Sequence, residues 1–439
     1  MSAPKQLLSV TDGVFLTVGM VIGVGIFKAP SIVAGNTSGT AEFLFAWVLG
    51  GVISLCGALV YAELAARHPE TGGEYAFLQH AFGRGVSFLF AWSRMTVIQT
   101  GAIAAVAFVF GEYASEIYSL GAHSTAIYAA ICVVAMTLLN LAGTLESKTL
   151  QKVMETVLIA GLLALAAAGF MSGGTPQPAK AGGGGDFLFA MMFVLFTFGG
   201  WNEAAYLSGE VREPRRNMIK VLVGGIVAVT AIYMLVNLGY LAALGQGGIA
   251  TSKAVGADVM RLAVGASGAV VLSLIVCVSA LTTINAAVFT GARTNFAMGR
   301  DYPLFAALGN WRESGSTPAN ALLLQGAITL VLIVAAAATT KDGFDAMVAY
   351  TAPVFWTFFL LTGIALFVFR ARERVTVNFK VPLYPVVPAI FCAMCGFMLW
   401  KAVSYVMNPQ YGPKFGNLVL AGLLVMIAGI PLYHASRKK

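Results

Sequence analysis

Runs of some 20 apolar residues recur along the whole chain. Examples are "FLFAWVLGGVISLCGALVYA" (Phe43 to Ala62) and "ALLLQGAITLVLIVAAAA" (Ala321 to Ala338). About 20 such residues in helical form match the hydrocarbon thickness of a bilayer. A segment in lipid must satisfy its own backbone N–H and C=O groups, so only helices or a closed barrel can cross. A barrel would show short alternating segments, whereas these runs are long and unbroken. Composition agrees. Of the 439 residues, 58% are hydrophobic and 10% charged, where a soluble chain carries about a quarter charged. The expectation is an all-α polytopic membrane protein.

Twelve transmembrane helices are predicted, at 11–33, 41–66, 86–113, 123–143, 150–171, 187–208, 221–244, 268–299, 318–340, 345–369, 385–405 and 416–434. The opening "MSAPKQLLSVTDG" lacks the small-residue cleavage site of a signal peptide, so the first span is expected to stay. An even number of spans puts both termini on one side. Most of the 27 Lys and Arg then fall on that side, including Arg67, Arg84, Arg212 to Lys220, Arg370 to Arg374 and Lys439. By the positive-inside rule, both ends are expected in the cytoplasm. The net charge of +8 is thus a topology signal. With no basic patch interleaved with aromatics, no nucleic-acid partner is expected.

The five cysteines lie within apolar runs. Cys392 and Cys395 have metal-pair spacing, but no second pair or nearby histidine accompanies them. They read as small membrane-helix residues. The four histidines are scattered, so no metal site and no cofactor are expected.

One low-complexity segment, "SGGTPQPAKAGGGG" (Ser172 to Gly185), divides the chain. No lysine and hydroxyl follow its four glycines, as a phosphate loop requires, and it reads as a flexible external linker. Five spans precede it, and an odd number per half would invert the halves. The expected segments are a first repeat at 1–171, the linker at 172–186, a second repeat at 187–372, and a final pair of spans with a cytoplasmic tail at 373–439. The first span of each half meets glycines midway: "VGMVIGVGIFKAP" (Val18 to Pro30) and "FTFGGWNEAAYLSGE" (Phe196 to Glu210). Gly19 and Gly23, an i, i+4 pair, would serve helix packing equally well. Gly25 and the Gly199–Gly200 doublet favour a break. Matching interruptions in two halves point to the binding site of a secondary transporter. An unwound turn there exposes N–H groups to an anion and C=O groups to a cation, which suits a zwitterion.

Four stretches carry a family resemblance: "GMVIGVGIFKAP", "GALVYAELAARHPETGGEYAFL", "FTFGGWNEAAYLSGEVREPRRN" and "NAAVFTGARTNFAMGRD". In this order they resemble the amino acid–polyamine–organocation superfamily, and most of all its L-type amino acid transporter branch with the bacterial relatives. The resemblance implies a five-plus-five inverted repeat with broken helices 1 and 6, and helices 11 and 12 outside it. It implies alternating-access transport of amino acids, expected to be neutral ones, by exchange or cation-coupled symport. The expected setting is a bacterial inner membrane, the partners being the substrate, the bilayer, and sodium or a proton. A carrier of cationic amino acids or polyamines is the nearest alternative. An embedded enzyme would need a nucleophile with a base or paired acids, and a channel a repeated filter sequence; neither is evident.

Carried over by resemblance, the substrate site comprises Val21, Ile22, Gly23, Val24, Gly25, Phe196, Thr197, Gly199, Trp201 and Asn202. The amides of Gly23, Val24 and Gly25 would hold the carboxylate. Carbonyls of Val21, Phe196, Thr197 and Gly199 would hold the ammonium, with Phe196 or Trp201 as an aromatic gate. Val24 replaces the serine that many relatives have between these glycines. Many relatives also carry a lysine in helix 5, where this chain has Gly161 or, with a shift, Leu158. Coupling candidates are therefore a sodium site at Ser279, Thr282 and Thr283, or protonation of Glu203. Hydroxyls bonding back to their own helix are the plainer reading of the first set. Glu203 would otherwise pair with Arg94 or Lys28. Glu155, one turn from Lys152, reads first as an ion pair and second as a proton site. Arg94 and Gln99 could border a cavity, with snorkelling the plainer fate of Arg94. Glu210, Arg212 and Arg215 could form a gating network with Arg293 or Arg300, or serve topology alone.

Overall fold

The computed structural model describes residues 9–68, 73–143, 148–178, 185–204, 211–312, 317–340, 342–372, 377, 379–406 and 412–436. The side chains of some helical residues, among them Lys152, Glu203 and Arg215, lie outside that description. Glu210 and the first eight residues lie outside it altogether.

The described residues form helices with no strand among them, only an isolated bridge between Arg312 and Thr317. In chain order the α-helices are α1 (Val10–Val21), α2 (Gly25–Gly35), α3 (Thr40–Arg67), α4 (Glu74–Phe82), α5 (Arg84–Ser93), α6 (Gln99–Ile117), α7 (Ser124–Ala142), α8 (Lys148–Met171), α9 (Phe187–Thr197), α10 (Trp201–Ala204), α11 (Pro214–Thr251), α12 (Val255–Val264), α13 (Ala266–Asp301), α14 (Ala319–Thr339), α15 (Gly343–Arg372), α16 (Val386–Ser404) and α17 (Gly412–Ser436). A π-helical turn, Arg94–Ile98, joins α5 to α6, and a 3₁₀ segment, Pro303–Gly309, follows α13.

Among the described residues nine helices are long and apolar enough to cross a membrane, and α1 with α2 makes a tenth span if the bent pair counts as one. The fifth and sixth expected spans appear as shorter apolar stretches, Glu155–Met171 and Phe187–Thr197. The hydropathy pattern did not reveal α4 or α12, which are too short to cross.

Two of these helices start at strong local signals. Ser9 opens α1 with a capping box: its hydroxyl accepts from the Asp12 amide at 3.2 Å, and Asp12 accepts from the Ser9 amide at 3.1 Å. Asp186 opens α9, its carboxylate accepting from the amides of Leu188 and Phe189. The spans that break are thus each launched by a side-chain cap.

Packing divides the chain into two compact units, each assembled from separated segments. The first comprises Met1–Ser87, Leu162–Val255 and Trp356–Leu399; the second comprises Phe88–Gly161, Gly256–Phe355 and Trp400–Lys439. In the first, α11 packs on α1, α2 and α3, while α9 packs on α2 and α3. Its core holds Trp47, Tyr61, Phe193, Phe198 and Tyr233, all fully buried. In the second, α6 and α13 pack on each other and on α7 and α14.

Candidate substrate site

The last regular turn of α1 closes with the Ile22 amide bonded to the Val18 carbonyl at 2.8 Å. The chain then leaves helical form through Gly23 and Val24 and resumes as α2 at Gly25, with the axis turned by 55°. The first amides of α2 have no acceptor within their own helix, as at any helix start. A Cβ at Gly23 would meet nothing within 4 Å, so there is open space beside this turn.

Span six breaks in a similar way. The Phe198 amide closes α9 on the Val194 carbonyl, and the Gly199 amide turns back to the Phe196 carbonyl at 2.9 Å. Gly200 follows with φ +107°, a conformation that side chains disfavour, and α10 begins at Trp201.

The two breaks lie against each other inside the first unit. A Cβ on Gly25 would sit 3.0–3.2 Å from atoms of Thr197, and one on Gly200 would strike the Met20 carbonyl oxygen. The Tyr233 hydroxyl, from α11, lies 3.0 Å from the Val21 carbonyl oxygen and 3.1 Å from that of Thr197, where it can donate to either. Those carbonyls are the final ones of α1 and α9. Their helix dipoles place partial negative charge there, while the head of α2 presents partial positive charge. One small region therefore offers main-chain acceptors and donors that lipid could not satisfy.

The other named residues of the first unit surround this point. Val21, Ile22, Val24, Thr197, Trp201 and Asn202 are buried, while Gly23, Gly25, Phe196 and Gly199 are half-buried. The Thr197 hydroxyl donates to the Phe193 carbonyl at 2.7 Å. Trp201 packs edge-on to Tyr61 at 5.1 Å and touches Phe359 and Phe391. Phe198, which the resemblance also matches to the helix-6 site, fills the core between Trp47 and Tyr233. Lys28 lies on α2, almost wholly buried.

Among the coupling candidates, Glu203 has its backbone in α10 and its side chain outside the described residues. Ser279, Thr282 and Thr283 lie on α13 of the second unit. The Thr282 hydroxyl donates to the Val278 carbonyl at 2.9 Å and that of Thr283 to the Ser279 carbonyl at 3.0 Å, so both bond to their own helix. A Cβ on Gly161 would rest 3.4 Å from Ile275 of α13, in ordinary contact, and Leu158 and Glu155 are buried. Arg94 opens the π-helical turn. The Gln99 side chain is tied to α13, donating to the Ala287 carbonyl at 3.0 Å. Arg293 and Arg300 each lie over a phenylalanine of their own helix, Phe289 and Phe296.

Tyr233 is the residue that sequence reasoning missed. A signal existed: Tyr233, Asn237 and Tyr240 recur at i, i+4 and i+7 and form one fully buried face of α11. A polar stripe on the buried face of an apolar helix calls for partners.

The family model described as "Amino acid permease" matches residues 8–429. The serine/threonine exchanger SteT of Bacillus subtilis is 25% identical, covering 99% of this chain and 98% of its own. The b(0,+)-type amino acid transporter 1 of Mus musculus is 28% identical over 96% of this chain and 87% of its own. The human cystine/glutamate transporter is 24% identical over 98% and 81%.

Proposed function

The chain belongs to the amino acid permease family, and from that premise we propose that it exchanges neutral amino acids, docking each at the paired breaks of the first unit. As a member of that family it is an integral membrane transporter of amino acids and not an enzyme.

The observation that carries the docking assignment is the meeting of Val21 and Thr197 at one phenolic oxygen. The ammonium is held by carbonyls of Val21, Phe196, Thr197 and Gly199, and the carboxylate by the amides of Gly23, Val24 and Gly25. Main-chain groups read only the features common to all α-amino acids. That fits relatives whose names give serine and threonine in one case, and cystine and glutamate in another. Side-chain choice falls to the flanking residues, with Trp201 and Asn202 nearest the break in sequence and Phe196 or Trp201 serving as the gate. Alternating access turns on segments 1–171 and 187–372 being inverted repeats, with both termini in the cytoplasm of a bacterial cell.

Exchange is preferred to symport because helix 5 carries Gly161 or Leu158 where many relatives have a cation, and because the α13 hydroxyls already have acceptors in their own helix. Symport is the second reading, with a proton on Glu203 or sodium at Ser279, Thr282 and Thr283.

Proteoliposomes loaded with unlabelled serine and diluted into labelled serine test the proposal. Exchange predicts rapid counterflow that falls to background without internal substrate, at any sodium gradient or pH difference. Net uptake driven by either gradient would replace exchange with symport. An absence of saturable uptake for all twenty amino acids would remove the docking assignment.

A further inference from the structure

In the first unit the chain between α15 and α16 forms an apolar turn that points outward and is firmly anchored from behind. Its anchor is Glu63 on α3, whose carboxylate is fully buried. It accepts from Arg67 at 2.9 and 3.0 Å, from Arg370 at 2.9 Å, and from the Val381 amide at 2.7 Å. The Arg370 guanidinium lies 3.8 Å from the centre of the Tyr384 ring, which also touches Phe367. Between these fixed points, Pro382 to Val386 are all exposed.

Leu383 at the tip is 77% exposed and has φ +51°. A left-handed conformation disfavours any residue with a Cβ, and glycine or asparagine would be the usual choice. A large apolar side chain held there, facing outward, gains nothing from burial within the protein.

Its surroundings say what covers it. Val386 and Ile390 are exposed on α16, and Phe397 continues the same outward stripe. The turn is therefore continuous with the exposed apolar side of α16. Arg372 and Lys380 flank it, both exposed, with one Arg372 nitrogen donating to the Ala81 carbonyl. Residues 370–380 carry Arg370, Arg372, Arg374 and Lys380 against one acid, Glu373. An apolar wedge beside a basic collar complements a lipid whose headgroup is anionic.

We propose that Arg372, Lys380 and the Pro382–Val386 turn form a binding site for an anionic phospholipid. The phosphodiester sits against the two cations, and an acyl chain runs along Leu383, Val386 and Ile390.

The test is the thermal midpoint of the purified protein in detergent, titrated with phosphatidylglycerol or with phosphatidylcholine of the same acyl chains. Phosphatidylglycerol should raise the midpoint, with phosphatidylcholine much less effective. Joint Arg372→Gln and Lys380→Gln should weaken the phosphatidylglycerol response roughly tenfold to thirtyfold. Joint Arg216→Gln and Lys220→Gln, which removes two charges elsewhere on the same unit, should leave it intact. Leu383→Gly separates site from scaffold: it should raise the lipid-free midpoint by relieving the backbone, yet weaken the lipid response. Equal responses to both lipids, or equal loss in the control pair, would overturn the site. So would a Leu383→Gly variant that keeps full lipid affinity, or a turn that binds a soluble protein and ignores phosphatidylglycerol. The amino acid-induced shift, read on the same samples, reports the substrate site independently.

Discussion

The two units bring polarity into apolar surroundings by different means. Around the breaks of the first it is main-chain polarity: α1 and α9 stop, and the carbonyls of Val21 and Thr197 are left for the Tyr233 hydroxyl. In the second α6, α7, α13 and α14 run on without a break, and side-chain amides join them. Gln99 donates to the Ala287 carbonyl, Asn140 to the Asn285 side chain at 2.7 Å, and Gln325 to the Val288 carbonyl at 3.3 Å. Even the π-helical turn of the second unit is closed, with the Tyr350 hydroxyl donating to the Thr96 carbonyl at 3.2 Å. Side-chain amides that bond to one another and to carbonyls fasten helices together. Main-chain groups at helix ends, beside the open space at Gly23, remain available to a ligand. The arrangement in the second unit suits a scaffold and that around the breaks of the first a dock.

The contrast breaks most sharply at Gly200. Gly200→Ala puts a side chain at φ +107°, which costs roughly 1–2 kcal/mol in a left-handed region, and drives its Cβ onto the Met20 carbonyl. It should abolish the amino acid-induced thermal shift and lower the folded yield. A folded variant that still binds would show that the breaks need not touch.

Tyr233→Phe is next in size. It keeps the ring between Trp47 and Phe198 but withdraws the hydroxyl from two buried carbonyls. An unpaired buried acceptor costs about 1–3 kcal/mol, so the unliganded protein should lose about that much stability, and substrate affinity should shift because the ammonium then meets carbonyls that no hydroxyl holds. Unchanged affinity by titration would make Tyr233 a packing residue only.

Gln325→Leu probes the other unit. Interhelical hydrogen bonds in membrane proteins are worth about 0.6 kcal/mol on average and up to ~1.7. The variant should lose about that much stability while binding substrate as before. A lost substrate response would erase the distinction between the two units.

The smallest effects are expected at the coupling candidates. Thr283→Val removes a hydroxyl already bonded to Ser279, and Glu203→Gln removes a titratable group. Under exchange, neither should change counterflow rate or its sodium and pH dependence by more than about twofold, equivalent to ~0.4 kcal/mol. A flattened pH profile in Glu203→Gln would instead identify the proton carrier.

The positions of the breaks were legible in the sequence because a glycine acts on its own backbone. Gly23 and Gly25 interrupt the first span, and Gly199 with Gly200 the sixth, where the residues said they would. The environment of each side chain was not legible to the same degree. Arg293 and Arg300 each lie over a phenylalanine of their own helix, Phe289 and Phe296, while Glu210 and the Arg215 side chain, their expected gating partners, lie outside the described residues. The Gln99 side chain bonds to the Ala287 carbonyl of a neighbouring helix, a partner that the sequence did not indicate. Which face of a uniformly apolar helix turns inward depends on its neighbours, and hydropathy alone carries little of that in a membrane protein, where lipid and core are equally apolar.

The amino-acid sequence by itself determined that the chain crosses a membrane as helices, where two of them fail, and to which family it belongs. Those features follow from residues acting on themselves or near neighbours, through apolar length, capping and the freedom of glycine. Only the tertiary structure decided that the two failures meet, and that Tyr233, 212 residues beyond Val21, lies between their ends. Contact across such a separation arises from packing whole helices together, so no local pattern along the chain could encode it.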